Sequence, residues 1–235
     1  MSESRYRILG VDLSMNHAAF VLLVPGSVMW FRFVTARKAV LKKSDDVQRG
    51  TFLSASKIKD MNERDFYRLD FWSAYSELIL KIAKPTHVGL EDYAYRAPMY
   101  AHQIGSVAGL FRLATWRYGA KIRLVEPGTV KMFAAHDGSC FDISGDGIEK
   151  WPEAEVFKRY VAGADTQTME DLCDAYSIAK IVQTEIGLRE GSISLTSLHS
   201  KEIQVFNRCT KRWPVKLLAR DWIQKRVDGE DGTEK

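Results

Sequence analysis

Four carboxylates stand where the surrounding pattern calls for apolar residues. Asp12 interrupts the run Ile8-Leu9-Gly10-Val11-Asp12-Leu13, and Glu91 ends the run Val88-Gly89-Leu90-Glu91. Asp171 and Asp174 lie in Met169-Glu170-Asp171-Leu172-Cys173-Asp174-Ala175-Tyr176-Ser177-Ile178-Ala179. Their spacing of three puts both on one helical face, at the edge of the apolar stripe Leu172, Ala175, Tyr176, Ala179 and Val182. A charge inside an apolar strand is costly unless it is paired or bound to metal. Carboxylates brought together repel, and a hard divalent cation resolves the repulsion. Carboxylate and water oxygens suit Mg²⁺ or Mn²⁺ over Zn²⁺. Two such ions about 3.5–4 Å apart suit in-line attack on a phosphodiester, one activating water and the other stabilising the leaving oxygen. Singly, each acid has an ordinary explanation: Asp12 caps a turn, Glu91 pairs with Arg96, Asp171 and Asp174 face solvent. Their joint placement on two strands and a late helix argues against coincidence.

The elements that position these acids follow from hydrophobic period and turn chemistry. Tyr6–Leu13, Ala18–Val24 and Val28–Thr35 read as three strands joined by tight turns, an antiparallel meander. Residues 37–62 are basic and non-periodic and read as a long loop. Helices are expected over Glu63–Ala83 and Met99–Tyr118, the second closed by Gly119, with strands at His87–Glu91 and Lys121–Val125. Pro127–Ala135 starts a short helix, and two more are expected at Pro152–Val161 and Thr168–Ile186. The fold class is therefore α/β: a mixed five-stranded sheet, three antiparallel strands then parallel ones, flanked by helices. Residues 1–187 form the main domain. Residues 188–235 are a basic extension with an acidic tail, in which Ser192–Leu198 reads as β-like.

Composition bounds the function. With 46% apolar and 27% charged residues over 235 positions, the chain reads as an ordinary globular domain rather than a disordered one. No run reaches the roughly 18 apolar residues of a membrane span. Met1–Arg7 lacks the apolar segment of a secretory signal. The net charge of +4 is mild, but residues 37–64 carry eight Lys/Arg against four acids, and residues 201–226 carry eight against two. Such patches mark a polyanion partner or simply two solvated faces. Cys140, Cys173 and Cys209 form no CxxC pair, so structural zinc is not expected and reduced thiols are. A cytoplasmic setting, in a bacterium or a phage-infected cell, is the expectation; organellar and nuclear settings remain open.

Taken in order, these segments resemble the RuvC family of Holliday-junction resolvases, within the RNase H-like fold. Ile8–Asp12 resembles that family's first catalytic strand, and Gly89-Leu90-Glu91-Asp92-Tyr93-Ala94-Tyr95 its catalytic-Glu strand. His102–Tyr118 is similar to its dimer-contact helix, and Val125–Lys131 to its fifth strand and lysine-bearing helix. Ile148-Glu149-Lys150 is similar to the start of the next helix, and Glu170–Ala179 to the closing D-x-x-D-A helix. The resemblance covers roughly residues 5–186. It implies a dimeric, Mg²⁺-dependent endonuclease, with Mn²⁺ able to substitute, that cuts four-way DNA junctions by paired nicks. Asp12, Glu91, Asp171 and Asp174 would bind two metal ions, and Lys131 and Lys150 would steady the scissile phosphate. The long basic stretch and the C-terminal extension depart from the pattern, which points to a phage, viral or organellar relative with a broader substrate range.

Other features carry less weight. Tyr93 and Tyr95 follow Glu91 and could stack on an unpaired base or pack at the sheet edge, with Arg96 as a phosphate contact. Asp142–Glu153 partly fits a calcium loop, but Glu149 and Pro152 break the pattern. A general branched-DNA nuclease and a non-catalytic DNA-binding module with this fold are the nearest alternatives. A sugar-kinase or actin-like ATPase would need a second phosphate loop and a Gly-rich adenosine motif, and neither is present.

Overall fold

The computed structural model describes residues 6–24, 27–36, 50–55, 57–92, 101–135 and 166–225. Lys150, Tyr93, Tyr95, Arg96, the 142–153 loop and the helix expected at 152–161 lie outside them.

Six strands form one sheet. β1 (Ile8–Leu13), β2 (His17–Val24) and β3 (Ser27–Thr35) make the antiparallel meander that the tight turns predict. β5 (His87–Glu91) runs parallel to β1, and β6 (Lys121–Val125) parallel to β5. The sixth strand, β4 (Gly50–Phe52), corrects the five-strand expectation. It lies within the stretch read as loop and pairs in parallel with β3 at the far edge, Phe33 beside Gly50. Three residues are too few to show a period, and the partner is distant in sequence, so the pattern carries no signal for it. The sheet order is β4-β3-β2-β1-β5-β6.

Period-two alternation sorts the side chains into two cores. On one face Leu9, Val11, Phe20, Leu22, Val88, Leu90 and Ile122 pack against α1 (Met61–Ala83) and α2 (Ala101–Tyr118). On the other, Ile8, Val21, Phe31, Phe33 and Val125 pack against α3 (Pro127–Ala135) and α4 (Thr166–Glu190). α1 starts where the Asp60 carboxylate accepts the Glu63 N–H at 2.8 Å. It stops at Lys84, whose φ of 45° is followed by Pro85. α2 stops at Gly119, φ 88°, as its sequence predicts.

The described part of the extension, up to residue 225, is docked onto the domain. Its segment 192–198 is not a strand: the Ser194 hydroxyl accepts the Thr196 N–H and nucleates a 3-10 turn at Leu195–Ser197. α5 (Ser200–Asn207) follows, opened by His199 and Glu202, whose carboxylate accepts the His199 N–H at 3.0 Å. Val205, Phe206 and Leu217 are buried in the α4-side core. Ile223 forms an antiparallel bridge to Ile122, covering part of the open edge of β6.

Candidate metal centre and active site

β1 and β5 lie side by side with Gly10 opposite Gly89 and Val11 opposite Leu90. Asp12 and Glu91 therefore leave the sheet at neighbouring positions. Alternation turns both toward α4. That helix comes unusually close, and the two glycines are the reason. A Cβ on Gly10 would collide with the Ala175 carbonyl and sit 2.7 Å from the Ala179 nitrogen. One on Gly89 would meet Ile178 and Val182 at 2.6 and 2.8 Å. Leu172, Ala175, Tyr176, Ala179 and Val182 are all buried on this face, so the stripe read from sequence is the docking surface. It carries Asp171 and Asp174 to the strand ends where Asp12 and Glu91 emerge.

The electrostatics record that meeting. Asp12 is held well above the usual carboxylate range, by burial first and then by the charges of Glu91, Asp171 and Asp174. Glu91 is pushed up to about 7 by burial and the Asp174 charge, against the opposing pull of Lys131. Asp12 and Glu91 act directly on each other, which raises Asp12 further and lowers Glu91. Asp174 rises to about 6, again chiefly through burial, with Lys131 lowering it and Glu170 raising it. Asp12 and Glu91 keep some exposed surface at the strand ends, yet desolvation still dominates because protein encloses their carboxyl groups on the α4 side.

The structure thus brings together Asp12, Glu91, Asp171, Asp174 and Lys131. Among the described residues, no three His, Cys, Asp or Glu side chains are drawn tightly enough around one point to form a finished ion cage. The donor set nevertheless fits a hard divalent cation: every ligand is oxygen, negative charge is in excess, and Asp174 Oδ1 is buried with no hydrogen-bond partner. Gln167, one turn before Asp171, donates from Nε2 to Asp171 Oδ1 at 2.7 Å. Sequence reading missed it, although the spacing of four was visible. It also missed Asp92, which is 1% exposed and forms 2.8 Å ion pairs with Arg112 and Arg212.

No protein-family model matches the chain, and no curated protein matches it in sequence. Solved structures do match. The yeast mitochondrial Holliday junction resolvase Ydc2 is similar with a TM-score of 0.53 at 10% identity, over 74% of this chain and 76% of that one. The fold is RNase H-like. Structures of Thermus thermophilus RuvC, alone and with a Holliday junction substrate, are similar at a TM-score of 0.47 and 18% identity. They cover 79% and 74% of this chain, and 96% and 91% of their own. Within this RNase H-like fold the acids sit on its first strand, on the central parallel strand beside it and on the helix that crosses both.

Proposed function

We propose that the chain is a divalent-metal-dependent endonuclease that cuts branched DNA, four-way junctions foremost, by paired nicks. One observation carries the reading. Asp12, Glu91, Asp171 and Asp174 come from three elements into one desolvated cluster, where burial and the charges of Glu91, Asp171 and Asp174 raise Asp12, burial with Asp174 and Asp171 raises Glu91, and Lys131 lowers Glu91 and Asp174. A structural role does not explain the cluster, because unpaired buried acids destabilise a fold. Bound there, a pair of Mg²⁺ or Mn²⁺ ions would supply an activated water and neutralise the departing oxygen.

The chain's own residues supply the rest. The four carboxylates hold the site's negative charge at fixed positions, and Gln167 keeps one Asp171 oxygen turned. Lys131, on the first turns of α3, presents an ammonium close to Glu91 and Asp174, suited to a scissile phosphate. Lys150 is assigned to DNA contact by the resemblance, and Tyr93, Tyr95 and Arg96 by their residue types and their place beside Glu91. Leu113, Trp116 and Tyr118 are exposed on α2, the helix implied as a dimer contact, which supports a homodimer with two sites facing opposed phosphates. No described helix is long and apolar enough to cross a membrane.

The test is a matched set of end-labelled substrates: a four-way junction, a Y-fork and a linear duplex. Symmetric cuts confined to the junction are expected. Equal cutting of forks would make the protein a general branched-DNA nuclease. Tight, salt-sensitive binding without cutting would reduce it to a DNA-binding module.

A further inference from the structure

The C-terminal extension reaches the strand ends that carry the site. Asp92, next to Glu91, continues the β5–β6 ladder by donating its N–H to the Val125 carbonyl at 2.7 Å. Its carboxylate is held on both oxygens, Oδ1 by Arg112 of α2 and Oδ2 by Arg212 of the extension, each at 2.8 Å. Two residues before Arg212, the Thr210 hydroxyl donates to Glu126 Oε1 at 3.0 Å. Glu126 is the residue from which α3 begins: its carbonyl accepts the Thr129 and Val130 N–H groups, and Lys131 follows. The turn itself is closed. Thr210 N–H donates to the Trp213 carbonyl at 2.7 Å, and Trp213 N–H to the Thr210 hydroxyl at 3.0 Å. The guanidinium groups of Arg212 and Arg220 lie 5.3 and 4.6 Å from the centre of the Trp213 ring.

We infer that the turn at residues 210–213 is a positioning strap, with Arg212 on Asp92 and Thr210 on Glu126 holding the β5 end that carries Glu91 and the α3 start that carries Lys131 in fixed relation. The inference rests on the nuclease reading of that site. Groups supporting metal ligands from behind commonly matter about 10- to 100-fold. Asp92 and Arg212 touch no reacting atom in this account and act through Glu91.

The experiment compares Arg212→Ala, Asp92→Asn, their combination, Arg212→Lys and Thr210→Val. Hydrogen–deuterium exchange is read in the metal-free, DNA-free protein over residues 88–92 and 124–131, with 18–23 as internal control. Single-turnover nicking of a four-way junction in Mn²⁺ is read beside junction affinity. The strap predicts about tenfold faster exchange in both site segments and none in the control. It also predicts a rate constant lower by about 10–100-fold with affinity within about threefold. The double variant should be no worse than the worse single one, and Arg212→Lys should recover part of the loss. Thr210→Val, which removes one hydroxyl, keeps the test open if Arg212→Ala fails to fold. Unchanged exchange in the site segments overturns the strap. So does weakened junction binding in Arg212→Ala with Asp92→Asn silent, which would make Arg212 a phosphate contact. A wild-type protein that does not nick overturns the nuclease reading instead, and exchange still decides the strap.

Discussion

Asp12, Glu91 and Asp174 are acids that the fold holds against their own chemistry. Glu91 at about 7 and Asp174 at about 6 stand above their ordinary values of 4.5 and 3.8. The folded chain therefore keeps protons that the unfolded chain releases between roughly pH 4 and pH 7. That contribution to stability is full below the ordinary values and is lost as pH rises through the raised ones. The metal-free protein should lose thermal stability over this range. A divalent ion competes with those protons, so its effect must grow with pH. At a concentration near 100 times its dissociation constant, Mn²⁺ should stabilise by ~2.7 kcal/mol at pH 8, about 5–11 °C in Tm for a chain of this size. At pH 5.5 the shift should be much smaller. Equal shifts at both pH values would mean the ion binds elsewhere. In metal-free buffer at pH 8, Asp12→Asn should raise Tm, because it removes charge from the repelling set.

The elements show why the site was readable. Strands β1, β2, β3, β5 and β6 and helix α3 are flanked by strong turn signals and stand within two residues of their expected bounds. The acids were legible as breaks in those patterns. β4 and α5 were not: one is three residues long, and the other lies in a basic stretch where charge hid the His199/Glu202 capping pair. The strap residues were invisible because Asp92–Arg212 and Glu126–Thr210 join positions far apart in sequence. Helix α4 carries the sharpest mutational test. A methyl at Gly10 meets helix backbone, which cannot yield, whereas one at Gly89 overlaps the Cγ2 methyls of Ile178 and Val182 at 2.6 and 2.8 Å, a milder clash that these stiff β-branched side chains relieve only by a small shift. Gly10→Ala should cost about 3 kcal/mol or more by lifting α4 off β1, and Gly89→Ala nearer 1, from the usual range for overpacked cores. Urea denaturation reads both. A Gly10→Ala protein as stable as wild type would contradict the close docking of α4.

At the scale of the whole molecule, the extension belongs to the core that supports the site. Arg123 on β6 is buried and grips Glu185 on α4 through two hydrogen bonds of 2.8 and 2.5 Å, and Arg189 adds a third at 2.9 Å. Both arginines also donate to the Arg220 carbonyl, and Trp222 lies 4.5 Å from the Arg123 guanidinium. Sheet, helix and extension thus share one ion cluster. Breaking such a buried set by removing one charge typically costs about 3–5 kcal/mol. Glu185→Gln should lose about that much in urea denaturation and loosen residues 217–223 to proteolysis. A loss below 1 kcal/mol would show that the extension is held by its apolar contacts alone. In the proposed dimer, paired cutting would be a property of the whole assembly: two symmetric sites would meet phosphates on opposed strands, and a dimer-breaking change on α2 should leave single nicks.

The most direct measurement is strand cleavage of an end-labelled four-way junction by wild-type protein, Asp12→Asn and Asp174→Asn, each with Mg²⁺ and with EDTA. Symmetric nicks from the wild type in Mg²⁺ alone are expected, with cleavage by either variant slower by about 100-fold or more while junction binding persists. Cleavage that survives EDTA, or that is untouched by both substitutions, would contradict a metal centre built on these carboxylates.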